Sequence, residues 1–219
     1  MSVAAAIVLV SCEIVLRRDM CYTHVEMSVT IVHDLPREEL EFHWKSGRLC
    51  LDFVATVGER WRRSFERLIA PQDLGRWMVE TGMLDTPPKV SASELASGRT
   101  LREAINRLAR PGTEPAAGDE EELNRWAARC PLAPQLVANH EVVWVAERPV
   151  PAMFATIARD AVDLLSSPLV GRVRECGAPD CALLFVDTSR PGRRRWCATA
   201  ACGNRVRTKA YRQRRKAAG

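Results

Sequence analysis

Acidic residues are scarce where basic ones crowd. From Arg172 to Gly219 the chain has 13 Lys and Arg against only Glu175, Asp180 and Asp187, although its 219 residues hold 32 basic and 27 acidic side chains in all. The body before residue 172 is therefore acidic and the tail strongly basic. A field so concentrated favours a polyanionic partner, because it raises encounter rates and residence on phosphate polymers. Long apolar runs are also absent: Val3 to Val10 falls well short of the roughly 18 residues a membrane helix needs, which argues against a membrane partner. Leu9-Val10-Ser11-Cys12 is similar to a lipoprotein cleavage box, yet no Lys or Arg precedes it and Arg17 and Arg18 follow at once. A cytoplasmic protein is expected. Histidine is rare, and His24, His33, His43 and His140 show no metal-ligand spacing; no Gly-x-Ser-x-Gly, P-loop or Gly-x-Gly-x-x-Gly string occurs. The sequence therefore reads as non-enzymatic.

What is present is enough for a core. Hydrophobic residues make up 47% of the chain and charged ones 27%, with six Trp and five Phe, so burial can offset the entropy of ordering the chain. The size suits one domain with an appendage or two small domains. Residues 1–37 form a poorly interpretable N-terminal segment, although Val25, Met27, Val29 and Ile31 alternate as a strand would and Met20 or Met27 would serve equally as the start. Residues 38–171 read as a mainly helical body and 172–219 as a basic zinc-binding tail.

Within the body, Leu49 to Val54 is apolar, with a spacing that leaves helix and strand open. Pro71 to Thr81 reads as a helix, with Asp73 in its first turn and Gly82 closing it. Ser91-Ala92-Ser93-Glu94 has the form of a capping box and predicts a helix to about Arg110, with Leu95, Leu101, Ile105 and Leu108 inward. A further helix is expected over about Asp119 to Arg129. Gln135 to Glu147 predicts one strand or a hairpin turning near Asn139-His140. Pro151 to about Ser166 predicts a last body helix, with Phe154, Ile157, Ala161, Val162 and Leu165 on its buried stripe. Trp44, Trp61, Trp77, Trp126 and Trp144 would be core or the lining of a ligand pocket.

Eight cysteines occur, and four of them are paired. Cys176 and Cys181, and Cys197 and Cys202, each enclose four residues, and fifteen separate the pairs. Four thiolates on two tight turns bind zinc tetrahedrally, and Gly177, Pro179 and Gly203 suit such turns. Two disulfides would need an oxidising compartment, and four buried thiols would need a core that so polar a stretch lacks. One structural Zn2+ is therefore expected on Cys176, Cys181, Cys197 and Cys202, closed to any activated water. Cys12, Cys21, Cys50 and Cys130 have no paired spacing and read as ordinary thiols.

Between the pairs, Ala182 to Val186 is a strand candidate and Arg193-Arg194-Arg195 precedes Trp196, which is expected to pack on the metal knuckle. Beyond Cys202 a helix capped by Asn204 is expected, with Arg205, Lys209, Arg212 and Lys216 on one stripe. Like charges at i+4 repel, a local cost that a polyanion along the stripe would remove.

The run Arg193-Arg194-Arg195-Trp196-Cys197 followed by Cys202-Gly203-Asn204-Arg205 resembles the CGNR zinc finger, and Phe185 to Arg190 is similar to its connector. Gly47-Arg48-Leu49-Cys50-Leu51-Asp52-Phe53-Val54 and Leu74-Gly75-Arg76-Trp77 resemble the ABATE domain that commonly precedes this finger in bacteria. The resemblance spans about Glu41 to Lys216. It implies an α+β protein: a mainly helical body with a few short strands, then a treble-clef or ribbon-like finger ending in a basic helix. It also implies a stress-linked transcription regulator. One departure is Ala55, where the family often has Asn before Thr56. Taken together, these features predict a regulator that binds double-stranded DNA through Arg193, Arg194, Arg195, Arg205, Lys209, Arg212 and Lys216. Its body would bind a small-molecule effector, form a homodimer, or both. RNA binding is the alternative, and an enzyme with a nucleic-acid-localising tail the weaker one.

Overall fold

The computed structural model describes residues 35–217. The alternating run Val25 to Val32, the box ending at Cys12, and Cys21, His24 and His33 lie outside these residues. Six helices dominate: α1 (Leu49–Val54), α2 (Pro71–Glu80), α3 (Ala92–Ala109), α4 (Asp119–Ala127), α5 (Pro149–Ser166) and α6 (Asn204–Ala217). Three separate antiparallel pairs join them: β1 (Val57–Gly58) with β2 (Phe65–Glu66), β3 (Ala133–Leu136) with β4 (Val142–Val145), and β5 (Val173–Glu175) with β6 (Leu184–Val186). This is the α+β architecture expected. No described helix is long and apolar enough to cross a membrane.

The core is built around α5, whose Met153, Phe154, Ile157, Ala158, Ala161 and Leu164 are buried against α1, α3 and α4. The helix begins at Pro149, earlier than expected, and Val162 lies outside its buried stripe at 37% exposure. Eight residues past Phe154 the helix has turned about 80° off the buried direction, at 3.6 residues per turn. The ambiguous segment after Arg48 is α1, held by Cys50 N–H donating to Asp160 Oδ2 at 2.9 Å and by Arg48 donating to Asp160 and Asp163. Phe53 meets Trp77 and Phe154, with ring centroids 5.0 and 6.3 Å away, so three helices share one aromatic cluster. The capping box forms: Ser91 Oγ accepts from Glu94 N–H, and the Glu94 carboxylate accepts from Ser91 N–H. Gly98 lets α3 approach α5, since a Cβ there would lie 2.8 Å from the Phe154 ring.

Two charged residues sit where the apolar pattern gives no sign of them. Arg102 on α3 donates from both Nη atoms to Glu66 at 2.8 Å, with both side chains almost wholly buried, and also bonds Glu103, which in turn holds Arg60. A bidentate pair with further acceptors is the arrangement that makes a buried guanidinium tolerable. Residues 133–145 form a hairpin whose turn puts Asn139 and His140 in the left-handed region, both at φ 63°, close to the expected turn.

The β5–β6 ribbon enters the body. Val173, Leu184 and Val186 belong to the same buried cluster as Leu51, Phe53 and Phe154. Val186 N–H donates to Ser46 O at 2.8 Å, and Arg110 of the α3 C-terminal cap pairs with Glu175 at 2.9 Å while lying over the Trp61 ring. Residues beyond 171 therefore add core as well as charge.

Candidate metal centre and nucleic-acid interface

After β5 the chain makes its first knuckle. Cys176 N–H donates to Leu183 O, and Cys181 N–H to Ala178 O, which folds Gly177 to Asp180 into a tight turn. Ala182, directly after Cys181, has φ +80°, a conformation that costs a non-glycine residue free energy and is tolerated where surroundings fix it. The second knuckle is a single π turn over Thr199–Gly203 that runs straight into α6. Its effect is to bring Cys202 back over Cys197.

The four sulfurs of Cys176, Cys181, Cys197 and Cys202 lie within 4.8 Å of one another. Cys181 and Cys197 are 3.8 Å apart, and Cys197 and Cys202 3.6 Å. A zinc tetrathiolate with bonds of about 2.3 Å has tetrahedron edges of about 3.8 Å, so the donor set fits this metal in kind, number and spacing. Hydrogen bonds from Cys181 and Cys197 pull the Cys176 thiol well below its ordinary range, and the same contacts push Cys181 and Cys197 above theirs. Crowded thiols that cannot all ionise together are what a dication relieves. Cys50 is buried in the body and Cys130 is exposed, both apart from the cluster.

Polar contacts around the sulfurs order the tail. Arg205 on α6 pairs with Asp180 of the first knuckle at 2.8 Å, and its Nη2 donates to Cys202 Sγ at 3.4 Å. Arg194 donates to Cys197 O at 2.6 Å and lies over Phe185. Its own N–H is taken by the Asp187 carboxylate, which also accepts from Ser189, and these bonds hold Asp187 at about 2. Trp196 packs on the knuckles as expected: a Cβ on Gly203 or Gly177 would meet its ring at 3.0 and 3.4 Å. Asn204 does not cap α6. It is already helical and bonds Ala200 O and Arg207, because the π turn starts the helix earlier.

The basic residues split into two groups. Arg194 and Arg205 are bonded into the finger, Arg205 while its side chain stays half exposed, whereas Arg193, Arg195, Lys209, Arg212 and Lys216 are exposed. Three exposed arginines on α6, Arg207, Arg214 and Arg215, lie off the expected stripe. The composition of the segment, seven basic residues and no acid, was the signal for them. No residue of α6 is buried, and the helix packs mainly on the π turn before it, with Val206 against the cysteine cluster. It projects its charge into solvent.

A cleft of about 250 Å³ lies between body and finger, lined by His43, Ala55, Phe65 and Arg67 on one side and Cys181, Cys202 and Arg205 on the other. Ala55 packs into the finger's own apolar cluster. Arg67 is buried and donates to Glu39 O, Ala55 O and the His43 ring. Burial, then the charges of Arg67 and Lys45, lower His43 to about 4, so it is neutral and accepts from Arg67. None of the five body tryptophans lines this cleft: Trp77 and Trp126 are core, and Trp44 stacks on Trp77.

A helical body locked onto a four-cysteine knuckle that projects a basic helix defines a zinc-finger protein. Residues 47–168 match the ABATE family model, described as "putative stress-induced transcription regulator", and residues 172–215 match the CGNR zinc finger, in that order. The chain belongs to the ABATE family, and its CGNR finger carries one structural zinc ion. No curated protein matched the chain.

Proposed function

We propose that this protein is a transcription regulator that binds double-stranded DNA through its C-terminal finger, with zinc held by Cys176, Cys181, Cys197 and Cys202. The observation that carries the reading is α6: an unburied helix with seven Lys and Arg, no acid, and a first turn fastened to the metal knuckle through Arg205. The zinc supplies the fixed point from which helix and arginine loop are aimed. Arg193, Arg195, Lys209, Arg212 and Lys216 contact phosphates, while Arg194 and Arg205 position the loop and helix. The cleft between body and finger is where a small effector would act, since a ligand there touches both parts at once. No catalytic residue is assigned.

Exposed Tyr211, at 55%, offers a face on which an unpaired base would stack, a feature favouring RNA. Parallel titrations of the zinc-loaded protein with duplex DNA and single-stranded RNA separate the two. Duplex DNA should bind more tightly, and Tyr211→Ala should leave its affinity within about twofold, since a phosphate-led interface does not use stacking. Preference for single-stranded RNA that vanishes in Tyr211→Ala would replace the DNA reading.

A further inference from the structure

The β3–β4 hairpin leaves the outward backbone groups of one strand unpaired among the described residues. Val137 N–H donates to Glu141 O at 2.8 Å, and with the observed register this makes Gln135↔Val143 and Ala133↔Val145 the hydrogen-bonded pairs. Leu136↔Val142 and Pro134↔Trp144 are then the other kind, whose backbone groups point away from the partner strand. On β3 that outer edge is blocked, because Pro134 has no N–H to offer. On β4 it is not: the outward N–H and C=O groups of Val142 and Trp144 have no backbone or side-chain partner among the described residues. Natural edges are usually guarded by charge, proline or a covering element. Here Val142-Val143-Trp144-Val145 has none of the first two, in a chain that is 27% charged.

The side chains agree with the backbone. Trp144 packs on the body core, but the same face runs past the core at the hairpin tip, where Leu136 is 70% and Val142 53% exposed. We infer that β4 pairs with β4 of a second copy across a twofold axis at Val143, forming a four-stranded antiparallel sheet. Only a register centred there pairs both outward residues of each strand, with Val142 bonded to the second copy's Trp144 and the reverse. Four backbone hydrogen bonds cross the axis, and Trp144 of one copy covers the exposed Val142 of the other, a favourable aromatic and β-branched pair. Glu141 then faces the second copy's Val145, so no like charges meet. Pairing also adds the strands that an isolated two-stranded hairpin lacks for stability. With the β3 edge closed by Pro134, assembly stops at two instead of growing into a fibre.

This surface belongs to the body and is independent of the DNA reading, so it is tested without nucleic acid. Sedimentation and light scattering of the full-length, zinc-loaded protein should give twice the 24.5 kDa of one chain at roughly 100 μM, within the range of small interfaces. Val142→Pro removes an outward N–H without touching the inner ladder, and Val142→Lys places a charge on the edge. Each should weaken dimerisation by about tenfold or more, with circular dichroism and thermal midpoint close to wild type. In the dimer, hydrogen exchange at the Val142 and Trp144 amides should slow on raising the protein concentration. A wild type that stays monomeric at this concentration, or a dimer that persists in both variants with unprotected amides, would overturn the inference.

Discussion

Single residues decide whether the finger and its junction hold. Cys202→Ser should release the zinc, because three thiolates and a weak hydroxyl replace a closed tetrathiolate and metal binding is coupled to folding in such modules. Metal analysis of the purified variant checks this, and full zinc content would contradict the ligand assignment. His43 makes a pH prediction. Its folded pKa of about 4 lies below the ordinary 6.5, so the unfolded chain binds the extra proton between these values. The stability it supports is complete above pH 6.5 and is lost as pH falls toward 4, by up to about 3 kcal/mol at about 1.4 per pH unit. Asp52, raised by burial to about 6, works the other way, since its folded form gains a proton first. Denaturant melts of wild type and His43→Gln at pH 7 and pH 4.5 isolate the histidine: the variant should gain relative to wild type at the lower pH. The cysteine spacing was legible in the sequence because ligands of one knuckle are close neighbours in the chain. The Arg67–His43 contact was not, since 24 residues separate the partners and nothing local marks either.

At the scale of elements, the same division holds. Elements with local devices were legible: the Ser91–Glu94 box of α3, the proline start of α2 and the Asn139-His140 turn all act within a few residues, whereas α1 stayed open between helix and strand and α5 begins at Pro149 instead of Pro151. The Glu66–Arg102 pair could not be seen, because Arg102 sits beside Leu101 in a pattern that looks like the polar flank of a helix. Its burial follows from β2 arriving from elsewhere. Arg102→Met should cost about 3–5 kcal/mol by stranding the Glu66 charge, and adding Glu66→Gln should recover part of that loss. Equal destabilisation in single and double variants, read from urea melts, would mean that Arg102 acts through packing alone. Gly98→Ala should cost about 1–3 kcal/mol, since the new methyl meets the buried Phe154 ring.

At the scale of the whole molecule, the body and finger are fastened by the β5–β6 ribbon, whose Val173, Leu184 and Val186 complete the body core. Charge changes sign along the sequence near residue 172, but apolar packing does not stop there. A chain ending at residue 171 should therefore melt at a lower temperature than the full protein, with exposed apolar surface detectable by dye binding. An unchanged midpoint would show that the ribbon is dispensable. Locking the finger to the body gives α6 a fixed direction, which is the basis of the functional reading. That reading rests most directly on how DNA affinity responds to salt. If four to six cations of the finger engage phosphates, log affinity should fall against log salt with a slope of about −4 to −5, and replacing Arg212 and Lys216 by Ala should flatten it by up to about 2 for every duplex sequence alike. Binding to duplex DNA that does not change with salt, or no binding at low ionic strength, would contradict the account.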